Sequence, residues 1–157
     1  MSTYTAAELD MLRKPPMATG LAIAMVDRGI VSMAIEFAAM LKKVRGAAQQ
    51  YPTNSIIQAA FGKDSNDDPP APRPEATTSV IESTDLIDQA IERINAALAI
   101  VADKASEAEI TEYKEFIYDC GVAAAESAGK GSFGRGREKV SEAEAITLET
   151  IKSAMGI

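Results

Sequence analysis

Three helix-start signatures constrain this chain more than any other feature. Thr5 with Glu8, Ser106 with Glu109 and Ser141 with Glu144 each set a hydroxyl three residues ahead of a carboxylate, at the head of an apolar-periodic run. In such a capping box the hydroxyl accepts from the third helical amide and the carboxylate accepts from the cap's own amide. Between these starts the apolar residues recur at helical spacing, and no segment shows the strict alternation of a half-buried strand. The fold class expected is all-α.

The elements follow in order. The Thr5 box opens a short helix over Ala6 to Leu12, which Pro15 and Pro16 are expected to stop, with Pro16 serving as the first residue of the next helix. That next helix, Pro16 to about Arg28, is apolar on most faces and therefore expected to be buried. Gly29 marks a C-cap or hinge. A helix from Ile30 to Gln50 follows, with Ile30, Met33, Ala34, Phe37, Leu41 and Val44 on one face, then a break at Tyr51–Asn54 and a short helix over Ser55 to Phe61. From Gly62 to Glu82 the chain holds four of its seven prolines and few apolar residues, which reads as a flexible acidic, proline-rich loop.

After the loop, Ile87, Ile91, Ile94, Leu98 and Val101 space a helix to Ala102, and Ile110, Tyr113, Ile117, Cys120 and Ala124 space another from Glu107 to about Ala128. The short link between them predicts an antiparallel pair. The last helix, from the Ser141 box, is expected to bury Ala145, Leu148, Ile151 and Met155. The whole chain, 1–157, thus reads as one domain: a bundle of four main helices with short accessory helices and one long proline-rich loop.

Composition excludes several functions. The chain has no histidine and one cysteine, so a Ser-His-Asp or Cys-His arrangement, a Glu-x-x-His di-iron site and a cysteine-based zinc site are all out of reach. A net charge of −7 opposes duplex nucleic acid or an anionic membrane as partner. Met17 to Val26 supplies ten nearly apolar residues against the ~20 that a membrane span requires. A single thiol and an N-terminus without a basic or apolar leader point to the cytoplasm. Cys120 falls on the inner helical face and reads as a small core residue.

The best candidate site is the run from Gly129 to Lys139, where four glycines and four basic residues fall in eleven positions. Gly129, Gly131 and Gly134 spell a literal G-x-G-x-x-G, but the dinucleotide and kinase versions of that loop need flanking strands, and here a helix precedes it. The version that survives is a small-anion or phosphate site. Lys130, Gly131, Gly134, Arg135, Gly136, Arg137 and Lys139 would form it with Ser141 at the start of the last helix. The plainer account is a glycine-rich turn whose basic residues solvate it.

Asp64, Asn66, Asp68 and Glu75 stand at calcium-loop positions, but Pro69 takes the place that needs glycine, so no metal site is assigned. Glu112, Glu115, Asp119 and Glu126 form a carboxylate stripe expected on the solvated face of their helix. Met17, Met25, Met33 and Met40 read as core or partner-face packing.

Two stretches together resemble a family of short, Ala-rich bacterial helical proteins of unknown function. One runs from Leu12 through Pro15 and Pro16 to Gly20, followed by an apolar helix, an Asp27 to Gly29 break and a helix bearing Glu36. The other is a Gly/Phe-rich turn leading into Val140, Ser141 and Glu144. The chain departs from that pattern in lacking an aromatic near Leu12 and in carrying more basic residues in the turn. The resemblance implies a helical fold and assigns no activity. The expectation is a non-enzymatic cytoplasmic bundle without cofactors. It would act by homo-oligomerisation or contact with another protein, the apolar Pro16–Val26 segment supplying the surface.

Overall fold

The computed structural model of the chain describes residues 3–26, 30–62, 83–128 and 140–157. The described residues form six helices and no strand: α1 (Ala6–Val26), α2 (Ile30–Gln50), α3 (Ser55–Phe61), α4 (Ser83–Val101), α5 (Glu107–Ala128) and α6 (Glu142–Met155). The protein is an all-α single-domain bundle. The Asp27 to Gly29 break, the calcium-like positions 64–75, nearly all of the proline-rich stretch and the glycine-rich turn lie outside the described residues.

Helix α1 is the hub and touches every other helix. Leu12, Ala18, Ala22, Ile23 and Ala24 are all buried along it, which meets the expectation of an enclosed apolar helix. Small side chains let neighbours come close: a Cβ on Gly20 would lie 2.7 Å from Met40 Cγ on α2, and one on Gly121 would lie 2.9 Å from both Leu148 Cδ2 and Thr19 Cγ2. Glycine at those two positions is thus a packing requirement of the bundle itself.

Pro15 and Pro16 do not divide this segment; both lie inside one continuous helix. A proline removes the amide that would bond the carbonyl four residues back. For Pro16 that carbonyl belongs to Leu12, and the Tyr113 hydroxyl of α5 donates to it at 2.6 Å. One turn of helix is therefore held by a tertiary bond from a fully buried side chain. The next donor along, Arg13 Nε, reaches the Ala60 carbonyl of α3 at 2.7 Å.

Three further expectations are corrected. Helices α4 and α5 are consecutive but make little contact of their own, because α4 packs on α1 while α5 packs on α1 and α2. In α6 Ala145 is exposed and the buried line is Glu144, Thr147, Leu148, Ile151 and Met155. The inner face of α2 is likewise rotated. It runs through Glu36, Met40, Val44 and Ala47, with Phe37 and Leu41 partly covered. Glu36 is fully buried there.

All three capping boxes form. Thr5 N donates to Glu8 Oε2 at 2.8 Å, Ser106 N to Glu109 Oε2 at 2.9 Å and Ser141 N to Glu144 Oε2 at 2.8 Å, each with the reciprocal bond to the hydroxyl.

Candidate functional site

The residues expected to bind an anion divide in two. Lys130, Gly131, Gly134, Arg135, Gly136, Arg137 and Lys139 lie outside the described residues. Ser141 is described, and its hydroxyl accepts from Glu144 N at 3.2 Å while its amide donates to the Glu144 carboxylate. That carboxylate sits in the place where an anion would meet the helix end. Glu144 is only 1% exposed, so the first turn of α6 is closed by its own cap.

Polar groups concentrate instead at the opposite end, where the starts of α1 and α5 meet the α2–α3 turn. Lys104 Nζ lies 2.6 Å from Glu8 Oε1 and stands over the Tyr4 ring at 5.5 Å. Glu109 accepts from Ser106 and, at 3.0 Å, from the Ser55 amide. These bonds hold Glu8 down to about 2, the Lys104 bond contributing most, and Glu109 down to about 2, the Ser55 side chain contributing most. Such shifts belong to caps and cross-links between helix ends, not to a cavity.

A carboxyl depressed on folding stabilises the native state above its unfolded pKa and loses that contribution as pH falls through the folded value. For Glu8 and Glu109 the window runs from the ordinary 4.5 down to about 2. Melting temperature is therefore expected to drop as pH is lowered across that window. A Glu109→Ala variant should melt below the wild type at pH 7, with the gap narrowing towards pH 2. A gap that persists undiminished in acid, followed by circular dichroism, would show that the carboxylate charge is not what stabilises this end.

The other singled-out residues fall as follows. Cys120 is fully buried, and burial pushes its thiol up, which disfavours the nucleophilic thiolate. Met40 is buried and Met17 and Met25 pack against the core, whereas the side chain of Met33 lies outside the described set. Among the described residues no group of three carboxylates or thiols is placed to hold a metal ion.

The carboxylate stripe has a location that periodicity alone does not give. Glu112, Glu115, Asp119 and Glu126 follow one flank of α5, the flank turned towards α2 (helical spacing at 100° per residue keeps them within one quadrant). Tyr51, at the end of α2, is pushed up to about 12 by burial and then by Asp119, Glu115 and Glu112. Glu112 also accepts from Asn54 Nδ2 at 2.9 Å.

Beside this flank lies an open cleft of about 430 Å³ between α2 and α5. From α2 it is lined by Ala39, Lys42, Lys43, Gly46 and Gln50, and from α5 by Ala123, Glu126 and Ser127. Neither lysine forms an ion pair with Glu126 or with any other described residue. Gly46 differs from Gly20 and Gly121: a Cβ there would meet nothing within 4 Å. A glycine inside a helix destabilises it by about 0.5–1 kcal/mol relative to alanine. No packing contact of the described chain requires that loss at Gly46.

Fold and cleft together define the class: an all-α bundle with an open cleft, basic on one side and acidic on the other, between two of its long helices. No family model, no curated protein and no solved structure matches the chain. No described helix is long and apolar enough to cross a membrane.

Proposed function

We propose that this chain is a non-enzymatic cytoplasmic protein that works by association, its α2–α5 cleft receiving a helix of a protein partner. Gly46 carries the reading. It is a mid-helix glycine that lines the cleft and faces open space, room that the backbone of an approaching helix could use. The surface is not the one that the apolar Pro16–Val26 segment suggests. That segment is spent inside the bundle, with Ala18, Ala22, Ile23 and Ala24 buried against neighbouring helices. The anion-binding alternative draws no support from Ser141, whose polar atoms are occupied by Glu144.

The test uses the asymmetry between fold and contact. Gly46→Ala should raise the stability of the isolated chain, by up to about 1 kcal/mol, and Gly46→Leu should leave its helicity intact while filling the cleft. Affinity capture with the tagged wild type is expected to retain a partner, an untagged copy of the chain included, that Gly46→Leu does not retain. Capture of nothing by the wild type, or equal capture by both, overturns the reading.

A further inference from the structure

We infer that the partner in this cleft is a second copy of the chain, related by a two-fold axis parallel to the helices, so that α2 of each copy lies against α5 of the other. The inference rests on the association reading above and names its occupant. The observation behind it is the division of charge across the cleft. The α2 side of the cleft is basic through Lys42 and Lys43 and its α5 side carries Glu126, with Asp119 outside the cleft lining but two turns back on the same flank of α5.

Symmetry decides what such a cleft can accept. A two-fold axis perpendicular to the helices would set each lysine pair near its own copy and repel. An axis parallel to the helices exchanges the walls and keeps the levels, bringing the basic wall of each copy against the acidic wall of the other. The levels agree. Lys42 and Lys43 of α2 and Glu126 of α5 line the same cleft, so the two charged sides overlap in height along the helices. The small lining residues Ala39, Gly46 and Ala123 project little from either helix, which allows interaxial approach near the ~8 Å lower limit for packed helices.

Net charge opposes the pairing, since each copy carries −7. At physiological ionic strength, however, charges separated by more than about 8 Å are largely screened, whereas pairs brought into contact across the cleft are not. Local complementarity therefore keeps more of its strength at this salt than the long-range repulsion does. Within one copy Lys42, Lys43 and Glu126 form no ion pairs among the described residues, so nothing must be broken before they meet a partner.

Sedimentation equilibrium of the full chain tests this. The wild type is expected at twice its 16.6 kDa monomer mass. Two variants, Lys42→Glu/Lys43→Glu and Asp119→Lys/Glu126→Lys, should each be folded by circular dichroism and dissociate at least tenfold more readily. Mixed in equal amounts they should pair, because one then offers two acidic walls and the other two basic walls. If charge reversal disturbs a fold, Gly46→Leu serves as the monomeric control. A dimeric wild type with both variants still dimeric, or a mixture that stays monomeric, overturns this interface and leaves the association reading standing. A monomeric wild type at ~100 µM overturns the second copy as partner, and the capture comparison with Gly46→Leu then judges the cleft separately.

Discussion

Phe116→Ala is expected to lower the unfolding free energy by about 3–5 kcal/mol, the usual range for emptying a buried aromatic site. Phe116 is 1% exposed and stands where α2, α3 and α5 converge. Its ring meets Phe61 of α3 edge-on at 5.3 Å and Tyr51, just past α2, at 6.1 Å. Edge-to-face pairs of this kind add about 0.5–1.5 kcal/mol beyond the area they bury. The chain has only four phenylalanines, four tyrosines and no tryptophan, and three of those eight rings form this cluster. The core is built mainly of Ala, Ile, Leu and Val, with Met40, Met155 and Tyr113 among its larger members, and a close-packed interior of this kind collapses only partly into a hole left by a ring. Because a domain of this size is stable by about 5–15 kcal/mol in total, the variant should lose at least a fifth of the stability of the fold. Phe116→Leu keeps most of the volume and should cost less than half as much. Urea denaturation followed by far-UV circular dichroism gives both values. A loss below about 1 kcal/mol for the alanine variant would mean that the three rings do not pack as a unit.

What the sequence made legible, and what it hid, divides along the range of the interactions. Capping boxes are local, three residues long, and all three formed at Thr5, Ser106 and Ser141. The limits of α3 and α5 were equally readable, since Asn54 and Ser106 cap them locally. Pro15 and Pro16 misled because their effect depends on a distant partner: only the fold brings Tyr113 to the Leu12 carbonyl that Pro16 leaves open. The faces of α2 and α6 were legible in part: Val44, Leu148, Ile151 and Met155 are buried as their spacing implies, but the acidic members of both faces were missed. Glu36 and Glu144 are buried, and a rule that sends carboxylates outward rotates both helices away from their true inner lines. A stripe of acids such as Glu112 to Glu126 is legible as a stripe, but its position beside Lys42 and Lys43 requires knowing that α5 packs on α2. Gly46 was invisible for the same reason. A glycine inside a helix says that something is close or that nothing is, and only coordinates separate the two.

Asn54→Ala is expected to cost about 2–4 kcal/mol, a large effect for a single polar side chain, because three separate bonds end there. Asn54 is fully buried between the α2–α3 turn and the start of α5. Its Oδ1 accepts from Ile57 N at 3.0 Å and so caps α3, a contribution of about 1 kcal/mol on its own. Its Nδ2 donates at 2.9 Å to the Glu109 carbonyl and at 2.9 Å to Glu112 Oε2. Alanine leaves the Ile57 amide and the Glu109 carbonyl without these partners, and an unsatisfied buried group costs about 1–3 kcal/mol. Asn54→Asp separates the contributions. It retains an acceptor for the Ile57 amide but replaces the donor with a carboxylate facing Glu112, so the introduced group has a folded pKa above its unfolded one. Its penalty is then greatest near neutral pH, where the introduced carboxyl is charged, and shrinks as acid neutralises that carboxyl. Alanine carries no titrating group, so its deficit relative to the wild type should change far less between pH 7 and pH 4.5. Urea midpoints for the three proteins at those two pH values make the comparison. If the aspartate variant gains nothing on the alanine variant in acid, the bond from Asn54 to Glu112 is not what ties α3 to α5, and the cap alone accounts for the loss.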